Sequence, residues 1–287
     1  MDLNMKHSLH LIILILLILS QTACKTINIS ESHFIKPNKN ITLSTLSAIN
    51  NSVQITPIEI SAHDGNTLRG TYLSIANPKA TVVYFGGNEF TIQRNSAGPA
   101  TILIEQQVNI LMLDYRGYGQ SSGIPNIKNM KQDALDIYDF AKQQSNIPIV
   151  LHGHSLGSMI AGYIATQRPV DGLVLEGSIT NVKQMTSARI PWYAKPFINI
   201  NFSKQLTTIN NLKMVQDYKS PLLIMTGEND MQTPISLAKE LYKEAISSQK
   251  QLYIAKGMHH GNALKGAELK SKYAVLLSQI TKNNVPQ

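Results

Sequence analysis

The serine-centred string Gly153-His154-Ser155-Leu156-Gly157 stands where an apolar stretch at 147–151 gives way to a helix-like stretch at 158–167. A strand, tight turn and helix in this spacing place a serine hydroxyl above a sheet edge at a helix N-terminus, in a strained conformation that only small neighbours allow. Serine is a poor nucleophile until a histidine takes its proton, and an acid must orient that histidine. Both residue types follow later in the chain, each just past an apolar stretch. Thr226-Gly227-Glu228-Asn229-Asp230 comes after 222–225, and Gly257-Met258-His259-His260-Gly261-Asn262 comes after 251–254. The chemistry of such a set is acyl transfer, which also needs N–H donors for a developing oxyanion. The amide of Leu156 follows the serine directly, and the turn Gly86-Gly87-Asn88 after a further apolar stretch supplies a second donor. On residue types alone Glu228 competes with Asp230, His259 with His260, and Asn88 with Gly87.

Such side chains need a rigid frame, and the pattern provides one. Short apolar runs recur at 81–85, 108–113, 147–151, 173–175, 222–225 and 251–254. Continuous rather than alternating apolarity marks strands covered on both faces, as in a parallel sheet between helices. One intervening stretch carries Ile127, Met130, Ala134, Ile137 and Ala141, a stripe at helical spacing. Ahead of these, 55–62 and 67–75 flank Asp64-Gly65 and read as an antiparallel hairpin. The expected fold is α/β: a mostly parallel central sheet with helices on both faces, an N-terminal antiparallel hairpin and a short lid insertion. The lid is expected at about 178–219, where Trp192, Tyr193, Phe197 and Phe202 either line a lipophilic pocket or pack the insertion's own small core.

These motifs together resemble the α/β-hydrolase superfamily, nearest its small esterase and acylglycerol-lipase-like members. Gly227 to Pro234 is similar to the superfamily's G-x-x-D-x-x-x-P segment, which puts its acid at Asp230. The loop Asp114-Tyr115-Arg116-Gly117-Tyr118-Gly119-Gln120-Ser121-Ser122-Gly123 resembles D-x-R-G-x-G-x-S-x-G. The superfamily's G-x-G-H-x-D/N ending, laid on 257–262, puts the histidine at His260, with His259 in place of the middle glycine. Where that family begins the oxyanion turn with His-Gly, this chain has Phe85. The resemblance implies a Ser155, Asp230 and His260 triad with an oxyanion hole from Leu156 and Gly87. Some relatives place the acid after the fourth parallel strand, which makes Glu176 a second rival. Asp114 and Arg116 are expected to fix their loop rather than react.

The expected activity is therefore that of a serine hydrolase acting on a carboxylic ester or related acyl bond, without metal or organic cofactor. A serine peptidase or thioesterase of the same fold is the enzymatic alternative, and a non-catalytic envelope binding module is the other. The N-terminus adds a location. Residues 11–19 are an unbroken apolar run preceded by Lys6 and followed by Thr22-Ala23-Cys24, the form of a signal peptide over 1–23. Cys24 is the only cysteine and resembles a lipobox cysteine, although Gln21 stands where an apolar residue is usual. Export to the cell envelope with lipidation at Cys24 is expected, a periplasmic or secreted form being the alternative; one cysteine also excludes an internal disulfide. Residues 24–52, rich in Asn, Ser, Thr and Lys, read as a flexible tether, and 53–287 as the hydrolase domain. The net charge of +8 is spread along the chain, so it reads as a solvated surface that favours anionic membranes rather than a nucleic-acid site.

Overall fold

The structure, a computed structural model, describes residues 25–39, 46 and 52–283. Eight strands form its central sheet: β2 (Gln54–Ser61), β3 (Thr67–Ser74), β4 (Thr81–Phe85), β5 (Asn109–Leu113), β6 (Ile149–His154), β7 (Gly172–Glu176), β9 (Leu222–Gly227) and β10 (Lys250–Ala255). Their order is β10-β9-β7-β6-β4-β5-β3-β2. The six strands from β10 to β5 are parallel, and β3 and β2 are antiparallel to their neighbours. All six parallel strands thus present their C-terminal ends at one edge.

The central strands are largely apolar because neighbouring residues on each feed two separate cores. Val83, Leu111, Leu151, Leu173 and Ile224 pack on one side with helices α2 (Ile127–Gln144), α3 (Leu156–Gln167), α5 (Asn211–Asp217) and α6 (Ile235–Glu244). Val82, Ile110, Val150, Val174 and Leu223 pack on the other with α1 (Ala97–Ile104) and α7 (Leu269–Asn283). The expected stripe on α2 is its buried face, and its N-cap is Asn126, whose side chain accepts from the amide of Asn129. The β2–β3 hairpin turns at Gly65, where φ is +80°.

Two expectations change. The stretch 24–52 is not simply a tether: β1 (Lys25–Ile29) pairs in parallel with β8 (Ile198–Phe202), and Ile35 is buried in the main core. Both strands alternate. Ile27 and Ile29, with Ile198, Ile200 and Phe202, are half-buried, while Asn28, Asn199 and Asn201 are exposed, and Asn201 donates to Asn28 across the ribbon. The first strand among the described residues is accordingly parallel, outside the expected antiparallel hairpin. The insertion at 178–219 is built from α4 (Val182–Arg189), β8 and α5. Of its aromatic residues, Trp192, Tyr193 and Phe197 are 82%, 64% and 51% exposed and belong to neither core, whereas Tyr218 is buried in the main core and Phe202 packs against it and lines a separate cavity with Val182, Thr207 and Ile209. The expected signal segment, 1–23, and Cys24 lie outside the described residues.

Candidate active site

Ser155 is the single residue between β6 and α3, with φ 53° and ψ −113°, a left-handed conformation that costs a non-glycine residue energy unless its surroundings enforce it. The surroundings are tight. A Cβ on Gly157 would stand 1.9 Å from the carbonyl oxygen of Phe85, and one on Gly153 would stand 2.3 Å from that of Gly157. The two glycines are what let strand and helix close around the serine. The Ser155 amide donates to Glu176 O at 2.9 Å, and its carbonyl accepts from the amide and hydroxyl of Ser158.

Asp230 and His260 come from the loops after β9 and β10, strands that end at the same edge as β6. His260 Nδ1 lies 2.8 Å from Asp230 Oδ2. The same oxygen accepts the Thr233 hydroxyl at 2.7 Å, and Oδ1 accepts the amides of Gln232 and Thr233 at 2.8 and 2.7 Å. An ionised carboxylate can only accept, so the shared proton is on Nδ1, which in the neutral ring leaves Nε2 its lone pair, the tautomer a general base requires. Burial opposes charge on Asp230, yet the hydrogen bonds from His260 and Thr233 outweigh it and hold its carboxyl below the usual carboxylate range. Gly177, with φ +51°, leaves room for the imidazole: a Cβ there would be 3.1 Å from His260 Cε1.

The rivals are engaged elsewhere. His259 is exposed, with Nδ1 3.2 Å from Asn229 O, and Glu228 is exposed and accepts the Gly257 amide. Glu176 is buried and bonded at 3.0 Å to His152 Nε2, whose other nitrogen is 2.5 Å from Tyr273 Oη. Burial works against its charge, but His152 and the nearby His154 keep its carboxyl below the ordinary range. His154 Nε2 donates to the backbone oxygen of His260 at 2.9 Å, and burial lowers its pKa, which keeps the ring neutral. The buried His152, the half-buried His154 and the brace from Thr233 escape a reading of single motifs; only the Thr-Pro after Asp230 hinted at the last.

Leu156 opens α3, so its amide is among the free N–H groups of that helix end. Gly87 adjoins the serine, a Cβ there standing 3.5 Å from Ser155 Cβ. The side chain of its neighbour Asn88 fixes this turn, Oδ1 accepting Tyr118 Oη and the amides of Glu89 and Lys36. Through Lys36 the N-terminal segment therefore braces the turn that carries Gly87. Asp114 accepts the amides of Ile92 and Gln120, and Arg116 is buried between Asp133 and Asp64. The carboxylate of Asp133 approaches His63 and Asp136 closely enough for a shared cation, but Arg116 already supplies the positive charge.

A cavity of about 340 Å³ opens beside Ser155 and Leu156. Met159, Ile179 and Met185 give it an apolar wall, and Ile29, His33, Phe34 and Lys36 reach it from the N-terminal segment. Arg189 and Lys36 are its charged residues; no Asp or Glu lines it. The four N-terminal contributors carry no sequence signal for this role, because their partners lie far away in the chain, the nearest of them Asn88, 52 residues from Lys36.

This sheet order, with helices on both faces and the serine at the strand-to-helix turn, is that of the α/β-hydrolase fold. A family model described as serine aminopeptidase, S33, matches residues 76–214, a span that contains Ser155 but ends before Asp230 and His260. Among solved structures, the Pyrococcus furiosus esterase Pf2001 has a TM-score of 0.68 at 18% identity, covering 86% of this chain and 100% of that one. Est1E from Butyrivibrio proteoclasticus, solved with ferulic acid, has a TM-score of 0.62 at 20% identity, covering 78% and 99%. Curated relatives include the alpha/beta hydrolase domain-containing protein WAV2 of Arabidopsis thaliana, 27% identical over 66% of each chain. Protein ABHD12B of Homo sapiens is 32% identical over 50% of this chain and 43% of its own length. The lysophosphatidylserine lipase ABHD12 of Mus musculus is 28% identical over 61% and 48%. The match thus spans between 43% and 66% of these three relatives. Among the described residues, no helix is long and apolar enough to cross a membrane.

Proposed function

We propose that this chain is a serine hydrolase that cleaves a carboxylic ester through an acyl-enzyme. The observation that carries the reading is the 2.8 Å bond from His260 Nδ1 to buried Asp230, at the sheet edge where Ser155 is held at positive φ. His260 Nε2 takes the proton from Ser155 as Oγ attacks the carbonyl, and the amides of Leu156 and Gly87 stabilise the oxyanion. Collapse expels the alcohol, protonated by His260. Water then enters, loses a proton to the same imidazole and releases the acid, with Asp230 orienting the ring in both halves.

The cavity supports a substrate with an apolar chain and an anionic group. Met159, Ile179, Met185 and Phe34 suit the first, and Lys36 and Arg189 suit the second. The likeness to lysophosphatidylserine lipases makes a single-chain lysophospholipid the first compound to try. An aminopeptidase, as the matching family model is described, needs an acidic side chain for the substrate ammonium, and the cavity lining has none. We further read residues 1–23 as a signal segment and Cys24 as lipidated, giving an exported, membrane-anchored hydrolase. Metabolic labelling with palmitate, lost in Cys24→Ser, checks the anchor.

The test of the activity is a substrate panel on the purified protein: lysophospholipids with anionic and zwitterionic head groups, p-nitrophenyl esters of rising chain length, and aminoacyl p-nitroanilides. Turnover of the esters, fastest with the anionic lysophospholipid, is expected. Turnover confined to the anilides would overturn the ester reading.

A further inference from the structure

The lid's exposed aromatic residues serve neither cavity nor core. Trp192 and Tyr193 stack edge to face with ring centroids 6.0 Å apart, and Phe197 follows on the same segment, all three more than half exposed. Large aromatics grouped in this way on a surface mark a place where something binds. Between 178 and 210 the insertion carries Lys183, Arg189, Lys195 and Lys204 and no acidic residue. Aromatic rings that have an apolar body and a polar tip, flanked by cations, match the chemistry of a lipid headgroup region.

The path of the chain points the same way. Lys25 lies in register with Ile198, the residue after Phe197, so the N-terminal part of the chain meets the insertion at its aromatic segment. Only residues 20–24 separate Lys25 from the apolar run at 11–19, a distance of at most about 20 Å when fully extended. The ribbon that joins the two also walls the cavity through Ile29.

We propose that the lid edge formed by Trp192, Tyr193 and Phe197, with Lys195 and Lys204, is a docking surface for an anionic lipid bilayer. It acts in addition to any N-terminal anchor and sets the cavity against the surface that holds its substrate. In function this deepens the ester-hydrolase reading and rests on it; physically the docking stands or falls by itself.

Trp192 is the only tryptophan in the chain, so its fluorescence reports this surface alone. The full chain is mixed with vesicles of phosphatidylcholine, or of phosphatidylcholine and phosphatidylglycerol in equal parts, with acyl chains that are plain or brominated. The expected result on the mixed vesicles is a blue-shifted emission that bromine quenches severalfold, and a much weaker response on phosphatidylcholine alone. Lys195→Glu with Lys204→Glu should abolish the shift while hydrolysis of p-nitrophenyl butyrate in vesicle-free buffer stays unchanged. That soluble assay reads the hydrolase by itself, so its failure is separate from a failure of docking. Emission that stays water-like while the protein floats with mixed vesicles would overturn the proposal. So would a blue shift that appears without lipid and grows with protein concentration, which would assign the patch to a second copy of the chain.

Discussion

At the scale of residues, the account turns on how few atoms hold His260. Asp230→Asn keeps the shape but replaces an acceptor by an amide that can turn the imidazole to the wrong tautomer, so kcat should fall about a thousandfold or more with little change in folding. Thr233→Ala removes one of several donors to Asp230 and should cost about tenfold, read from the same steady-state assay. Protonation is a second lever. Because the fold lowers the pKa of His154, the unfolded chain binds a proton below about pH 6.5 before the folded one does, and stability falls with falling pH from there. Asp230 and Glu176, also lowered, add to the loss below about pH 4. His154→Gln should flatten the slope between about pH 5 and 6.5 in urea titrations. The residue types of the proposed triad stand out in the sequence because each sits just beyond an apolar run. The brace from His154 to the carbonyl of His260 was not, since a backbone acceptor leaves no mark on the sequence.

At the scale of elements, the sheet was legible and the ribbon was not, for one physical reason. A strand covered on both faces is apolar at every position, whereas β1 and β8 are covered on one face and carry asparagine on the other. Each reads Ile-Asn-Ile, at 27–29 and 198–200, and pairs only with a partner some 170 residues away. The segment behind β1 brings Phe34 to the cavity. Phe34→Ala should therefore raise KM for a long-chain p-nitrophenyl ester about tenfold, the loss expected from one aromatic contact, and leave acetate hydrolysis within about twofold. The elbow is tested by Gly157→Ala, whose methyl would overlap Phe85 O; a loss of about 3 kcal/mol or more is expected by chemical denaturation.

At the scale of the molecule, loops from distant parts of the chain are tied together by one cation. Arg116, 1% exposed, bonds Asp133 on α2 and Asp64 in the hairpin turn. Arg116→Met would leave Asp133 buried without its partner, and a destabilisation of about 3–5 kcal/mol is expected in urea. The loop motif announced a fixing role for Arg116, but its carboxylate partners emerge only when hairpin and helix meet. The same distance in sequence hid the cavity, which is assembled from the N-terminal segment, the oxyanion turn, α3 and the lid.

The most direct test of the central claim is labelling of the purified protein with a fluorophosphonate, which reacts only with a serine activated by its neighbours. Wild type is compared with Ser155→Ala, His260→Ala and Asp230→Asn, each verified as folded by circular dichroism. Labelling of the wild type that vanishes with Ser155→Ala and falls steeply in the other two is the predicted result. A folded wild type that takes no label, or a Ser155→Ala protein that still does, would contradict the assignment of Ser155 as the nucleophile.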